Sequence, residues 1–372
     1  MKNVHITLVG KEALPVFYPI YEYHPDIIYL IGTKESRVAM ANLCATIKQM
    51  GMECVQEKLK DAYDANESRR KCDSIIADEG FDCTYTFNLT GGAKPMALGA
   101  MWSAILHNCE MIYTESKNYI NIRTSEKTPL QKHLPSELIF MLQGQKLKSY
   151  NQYTPDPERS KCAEEVRNQV FDPYKREVLD LLKAEYDRNI NHINSPFSCG
   201  PVSYKKDGTN TIIAYNDDEI FQSDYPEADM LLFEGRWWET LVADAIYKWA
   251  KDKYDVWTSV VFDPQKEDYT RDGIKITKNE IDILVNLGNK FLFVECKSNS
   301  FNQDDIYKLN RVTQTYGSDK SKGVLIAYRI FSRIRSNLRE KATDNKVDIL
   351  TFDNDFSNLD CELTRVINTL KA

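Results

Sequence analysis

The chain has 372 residues, 42% of them hydrophobic and 28% charged, with a formal net charge of −7. That length fits two or three domains with ordinary apolar cores. The acidic balance excludes a protein that grips duplex nucleic acid by its overall field, so any polyanion has to meet local basic groups or metal ions. No stretch approaches the roughly 18 apolar residues of a membrane helix, and the apolar run at the start is too short for a signal peptide. A cytoplasmic protein with no membrane association is expected. The nine cysteines contain no Cys-x-x-Cys pair, so reduced thiols are expected rather than disulfides or a zinc site.

In chain order, residues 5–10 form a short β-rich run and 15–23 can form a helix. Residues 26–33 are nearly continuously apolar, as in a strand buried on both faces. A helix follows over 36–50, then a strand over 53–59, a charged helix over 62–79 and a strand over 83–89. A glycine turn leads into a helix over 94–108. Residues 111–115 and 119–123 can close the set as a hairpin. This alternation predicts an α/β domain with a doubly wound parallel sheet over residues 1–125. Over 126–225 the pattern weakens. Charged helical stretches at 162–170 and 174–189 alternate with polar, turn-rich runs such as 195–210, which reads as linker helices plus a small irregular insertion. The last domain, 226–372, begins with a helix near Leu231 and continues with strands, a helix and strands again.

The strand-turn-helix unit Asn88-Leu-Thr-Gly-Gly-Ala-Lys-Pro-Met96 ends a strand in Thr90-Gly91-Gly92. Glycines let the backbone approach a ligand closely, and a helix N-terminus offers free N–H groups to an anion. Pro95 sits near the first turn of that helix, where it costs no hydrogen bond. Lys94 adds a point charge. Taken alone, the unit could equally be a tight turn of any α/β protein. It is neither a Walker A loop nor G-x-G-x-x-G, so it supports neither ATP hydrolysis nor NAD binding. Two further strand ends carry similar residues, Gly10-Lys11 after the first strand and Gly32-Thr33-Lys34-Glu35-Ser36 after the second. In a doubly wound sheet such ends line one crevice. Residues 88–96 resemble the signature loop of the CRISPR-associated Rossmann fold, or CARF, domain. That resemblance implies a domain that dimerises and binds one cyclic oligoadenylate across the two-fold axis. The ligand would be lined by Asn88, Thr90, Gly91, Gly92, Lys94 and Met96, with Gly10, Lys11, Thr33, Lys34 and Ser36 from the other strand ends.

Near the other end, two β-rich runs flank Gly288-Asn289, a dipeptide suited to a hairpin turn. A turn centred there sets Asp282 opposite Glu295 and Glu280 opposite Lys297. Alternation puts Glu295 and Lys297 on one face. Two facing carboxylates repel, and a hard cation such as Mg²⁺ or Mn²⁺ between them removes the conflict. A lysine two residues on can orient water and stabilise charge developing on a phosphate. The bland alternative is a solvated hairpin with a Glu280–Lys297 ion pair, but the strand 291–297 is too apolar for full exposure.

An Asp followed by Glu-x-Lys at the end of an apolar strand resembles the PD-(D/E)xK nuclease superfamily, although Ile281 stands where a proline usually precedes the first acid. The resemblance implies a restriction-endonuclease-like α/β domain. In it Asp282 and Glu295 would hold a divalent metal (Mn²⁺ or Mg²⁺), the Cys296 backbone carbonyl would complete its coordination, and Lys297 would assist the water. A helix with a further acid usually precedes the motif, and residues 235–250 with Glu239 fit. Glu239 is equally well explained as a first-turn glutamate favoured by the helix dipole. The absence of histidine beyond His192 excludes His-based nucleases from this domain. Lys308 and Arg311 follow the motif on a predicted helix, where a solvated face is the simpler reading. Together the two ends resemble the CARF-nuclease effectors of type III CRISPR antiviral defence. The expectation is a homodimeric, metal-dependent endonuclease activated by cyclic tetra-adenylate and acting on single-stranded nucleic acid. Two alternatives stay open: a nucleotide-sensing regulator whose C-terminal domain only binds nucleic acid, and a nucleotide-independent repair or restriction nuclease.

Overall fold

The structure, a computed structural model, describes all residues except 116–117, 131–132, 174–195, 264–279, 289, 299, 318–320, 329–335, 353–354 and 371–372. The chain divides into two compact units, Met1–Leu147 and Lys148–Ala372.

In the first unit, strands and helices alternate: β1 (Lys2–Leu8), α1 (Leu14–Tyr23), β2 (Ile27–Gly32), α2 (Arg37–Gln49), β3 (Glu53–Lys58), α3 (Ala65–Glu79), β4 (Cys83–Asn88), α4 (Lys94–Leu106) and β5 (Glu110–Glu115). Two further strands, β6 (Asn118–Asn121) and β7 (Lys127–Pro129), extend the sheet, whose order is β3-β2-β1-β4-β5-β6-β7. The first five strands are parallel and the last two antiparallel. The chain winds outward from β1 through β2 to β3, then restarts on the other side at β4. The reversal therefore lies between β1 and β4, where their carboxyl ends open a crevice. Val4, Ile6 and Leu8 of β1 pack with Cys72, Ile75 and Ile76 of α3 and with Met96, Ala100 and Ala104 of α4. His5 and Thr7 point to the opposite face and are also buried. A further helix, α5 (Ser136–Leu142), follows.

The second unit opens with β8 (Leu147–Gln152) and α6 (Pro157–Glu165), the latter running on into a π-helical stretch, Val166–Phe171. The helix predicted at 174–189 lies outside the described residues. The segment read as an irregular insertion contains an ordered antiparallel meander: β9 (Phe197–Cys199), β10 (Val202–Asp207), β11 (Asn210–Tyr215) and β12 (Asp218–Ser223), in the order β12-β11-β10-β9. Asn216 and Asp217 both have positive φ, 51° and 67°, which is the two-residue turn that matches strand twist in a hairpin.

Beyond it come α7 (Ala228–Phe233), α8 (Arg236–Ala250), β13 (Asp255–Phe262), β14 (Glu280–Asn286), β15 (Phe291–Lys297), α9 (Gln303–Tyr316), β16 (Lys322–Tyr328), α10 (Ser336–Asp344), β17 (Val347–Phe352) and α11 (Leu359–Asn368). Their sheet runs β17-β16-β15-β14-β13-β8. One face of it, with Ile283, Val294, Cys296, Val324 and Ile326, buries Trp237, Trp238, Val242 and Ile246 of α8. Trp238 Nε1 is satisfied inside this core by the Ile326 carbonyl, 3.1 Å away. The other face meets α9, whose Leu309 and Thr313 lie against Gly323. Glu295 and Lys297, offset by odd steps from Val294 and Cys296, stand on the α9 side.

Candidate active site

The β14–β15 hairpin has the register expected from its sequence: Ile283 pairs with Val294, Leu284 with Phe293, Val285 with Leu292 and Asn286 with Phe291. The Leu287 N–H donates to the Lys290 carbonyl at 2.8 Å to close the turn. Asn289, half of the expected turn dipeptide, lies outside the described residues. One step outward, the same register sets Asp282 against Glu295.

The two carboxylates are each drawn to a donor of their own. Asp282 Oδ2 accepts the Cys296 N–H at 2.6 Å. Glu295 Oε1 accepts from Lys297 Nζ at 3.0 Å and from Lys308 Nζ at 3.2 Å. Lys297 Nζ also lies 3.1 Å from Asp305 Oδ1. Asp305 Oδ2 in turn accepts the Asn302 N–H at 2.8 Å, while the Asn302 side chain caps α9 in return. One carboxylate thus starts the helix and holds the lysine of the motif. Lys297 takes Glu295 and Asp305 as partners rather than forming the Glu280 pair of the bland reading.

Burial shapes the electrostatics. It pushes the Glu239 carboxyl up to about 7, against the opposing pull of Arg236 and with help from the charges of Glu295 and Glu280. Asp282 is raised well above the usual carboxylate range by burial first, then by Glu295 and Glu239. Burial also raises the Cys296 thiol. For Lys297, burial opposes the charge, but Glu295 and Asp305 outweigh it and hold the ammonium above its ordinary value.

In the first unit, Asn88 is fully buried. Its Nδ2 donates to the Val16 carbonyl at 3.1 Å, and its Oδ1 accepts from both the N–H and the hydroxyl of Thr90. Thr90 Oγ1 accepts the Thr114 N–H at 2.8 Å. These two side chains fasten the loop to its surroundings, and Met96 is buried behind it. Gly91 lies so close to the Leu8 carbonyl that a Cβ would collide with it, and a Cβ on Gly10 would lie 3.1 Å from Gly92 N. Gly92 has φ +75°, a conformation that favours glycine. The loops after β1 and β4 therefore meet backbone to backbone. Thr33 and Ser36 are also buried; the Thr33 N–H donates to Ser36 Oγ at 3.0 Å and Ser36 Oγ to the Thr33 carbonyl at 3.2 Å. Lys11, Lys34 and Lys94 are exposed at the same strand ends. No side chain caps α4 at Ala93, so its first-turn N–H groups remain available to an anion.

Residues 3–119 match a family model described as HFX_2341_N-like, N-terminal, and residues 234–351 match the nuclease-related domain. No curated protein sequence matches the chain significantly. Among solved structures, Can2 from Sulfobacillus thermosulfidooxidans in complex with cyclic tetra-adenylate is similar over 99% of this chain and 100% of its own, with a TM-score of 0.65 and 17% identity. Protein VC1899 from Vibrio cholerae is similar over 98% of both chains, with a TM-score of 0.70 and 14% identity. A type III CRISPR defence DNA nuclease activated by cyclic oligoadenylate matches 100% of this chain and 53% of its own, with a TM-score of 0.61 and 16% identity. The chain shares the fold of these structures, a CARF-like α/β domain followed by a nuclease-related domain.

Within the nuclease-related unit, the donor set suits a hard divalent cation. Glu295 is 3% exposed, and its Oε2 is buried with no hydrogen-bond partner among the described residues. An orphaned buried carboxylate oxygen is costly, and a metal ion relieves that cost. Asp282, Glu295 and the Cys296 carbonyl are oxygen donors of the kind Mg²⁺ and Mn²⁺ take, with Glu239 as a fourth. No three His, Cys, Asp or Glu side chains among the described residues already stand at metal-holding spacing, so the carboxylates would have to close in on the ion.

Sequence reasoning misses Asp305, whose signal is the capping box Asn302-Gln303-Asp304-Asp305 ahead of an amphipathic helix. It also leaves Lys308 on a solvated face. The side chain is partly exposed, yet its ammonium sits on Glu295.

Proposed function

We propose that this chain is a metal-dependent nuclease that a cyclic oligoadenylate switches on and that cuts single-stranded nucleic acid. The observation that carries the reading is the meeting of Asp282, Glu295 and Lys297, with Glu239 within electrostatic reach, inside the segment that matches the nuclease-related domain. Cyclic tetra-adenylate is the first ligand to test, because Can2, which shares this fold, was solved with it.

Asp282 and Glu295 would hold the metal with the Cys296 carbonyl. When bound, the ion supplies Lewis-acid polarisation of the scissile phosphate. Lys297 orients the attacking water and stabilises negative charge as it grows on the phosphate oxygens. Glu239 would reach the ion directly or through water as a further carboxylate donor. In the CARF-like unit, the exposed Lys11, Lys34 and Lys94 and the uncapped start of α4 would receive the ligand phosphates. Asn88 and Thr90 hold the loop in shape, and Thr33 and Ser36 do the same at the end of β2. Leu98, Trp102, Ile105 and Leu106 form an exposed apolar stripe along α4. A second copy of the chain covering this stripe would give the two-fold site that a cyclic ligand requires.

The deciding experiment is a cleavage assay on single- and double-stranded DNA and RNA, with and without each cyclic oligoadenylate, in Mg²⁺, Mn²⁺ or EDTA. Cleavage of single strands only with activator and metal is expected. Equal cleavage without activator, or in EDTA, would overturn the reading.

A further inference from the structure

Lys308 and Asp305 lie three residues apart on α9 and so share a face. Both reach the same cluster from outside the Asp–Glu-x-Lys motif: Lys308 Nζ is 3.2 Å from Glu295 Oε1, and Asp305 Oδ1 is 3.1 Å from Lys297 Nζ. The two ends of this arrangement differ. Asp305 is tied on both oxygens, one to the lysine and one to the helix cap. Lys308 hangs on Glu295 by an exposed, flexible stem, its side chain 42% accessible. Glu295 Oε1 already carries two ammonium groups while Oε2 has no partner among the described residues. One of the two ammonium groups is therefore surplus to pairing Glu295 once another cation arrives. The surplus one is Lys308, because Lys297 is anchored a second time through Asp305.

We propose that Lys308 is the resident counter-ion of the metal-free site: it neutralises Glu295 until a divalent cation takes that carboxylate, and it is displaced in the exchange. This rests on the metal-dependent reading above and adds a competitor that the motif does not contain. Without Lys308, a carboxylate almost closed off from water keeps only one cationic partner. Metal binding in the intact chain is then an ion exchange rather than a simple addition, so removing Lys308 must strengthen it.

The test is calorimetric titration of the full chain with Mn²⁺ at pH 8, where protonation of the carboxylates competes least. Lys308→Met is expected to bind Mn²⁺ roughly two- to fivefold more tightly than wild type, the scale of a partly exposed ion pair. Lys308→Arg, which keeps the cation, is expected to bind as wild type does. Unchanged or weaker binding by Lys308→Met would overturn the proposal while wild-type binding leaves the metal site itself standing. Absence of binding in wild type, or binding that survives Asp282→Asn unchanged, would bring down both. A single cooperative thermal transition and a wild-type circular dichroism spectrum in the variants check that the fold is intact, with a lower midpoint expected for Lys308→Met than for Lys308→Arg.

Discussion

The two units build their sites by opposite means. In the CARF-like unit, polar side chains are consumed in shaping a loop, so that the surface left for a ligand is backbone N–H and mobile lysine. Asn88 and Thr90 are the examples, each bonded inward. In the nuclease-related unit the carboxylates themselves are the proposed working groups, and they are held where ionisation is costly. Glu239 and Asp282 are both raised by burial first, then by the charge of Glu295. Under the proposed function, the first design recognises an anion with a neutral, rigid frame, and the second makes ionisation costly until a cation compensates it. Substitutions should therefore act on shape in one unit and on charge in the other.

The largest effect is expected from charge. Asp282→Asn or Glu295→Gln should lower cleavage by at least the ~10²–10³-fold seen when one electrostatic contact to a transition state is lost, with cyclic oligoadenylate binding unchanged. Lys297→Ala should lose cleavage to a similar degree yet still bind Mn²⁺, which separates its role from that of the ligands. A Glu295→Gln protein that still cuts would break the assignment.

In the other unit shape comes first. Gly91→Ala puts a Cβ into the Leu8 carbonyl and should abolish ligand binding, because the loop cannot keep its approach to Gly10. Lys94→Ala removes only a charge-assisted contact, worth about 1.5–3 kcal/mol, and should weaken binding roughly 10- to 100-fold. Fluorescence titration with labelled cyclic tetra-adenylate measures both. If Lys94→Ala cost more than Gly91→Ala, the crevice would work by charge after all. A Trp102→Glu chain should run as a monomer in light scattering where wild type runs as a dimer; a dimer that persists would move the two-fold interface off α4.

The smallest effect is one of sign. Burial pushes the His5 imidazole down to about 4. The unfolded chain takes up that proton near the ordinary value of 6.5, so His5 makes the CARF-like unit lose stability as pH falls from about 6.5 towards 4. Glu239 does the reverse. Its folded form keeps a proton up to about 7, whereas the unfolded form releases it near 4.5, so the metal-free nuclease-related unit loses stability as pH rises through that window. Thermal melts of metal-free protein at pH 5 and 7.5 should show His5→Leu flattening one trend and Glu239→Gln the other. Slopes of the same sign would show that burial does not hold both the imidazole and the carboxyl in their neutral forms.

Much of this was legible in the sequence, and the limits are instructive. The parallel strands of the first unit announce themselves as apolar runs, and the β14–β15 register follows from side-chain parity once Gly288 marks the turn. The meander at 197–223 is harder. Its strands are short and mix Lys, Asp and Glu with Tyr and Ile, so alternation is weak even though Asn216-Asp217 is a good turn signal. The catalytic-side neighbours are harder still. Asp305 reaches Lys297 and Lys308 reaches Glu295 from α9, and the helix's apolar stripe states which face turns to the sheet but not which polar side chains at its edge meet the motif. The roles of Asn88 and Thr90 show a different limit: a polar residue at a ligand loop looks the same in sequence whether it touches the ligand or holds the loop.

The pairing of β14 with β15 also bears on how this hairpin can change length. Asp282 and Glu295 share a face only because their offsets along the two strands agree in parity, and a one-residue slip turns a strand's side chains over. A single residue gained or lost between Asp282 and Asn286, or between Phe291 and Glu295, would send one acid to the α8 side and bring an apolar neighbour into the site. A change of two would keep both acids on the same face, displaced diagonally from each other. The hairpin thus reads its own insertions and deletions in steps of two, much as a coding sequence reads them in threes, while the turn at Gly288 can lengthen without altering which side either acid faces.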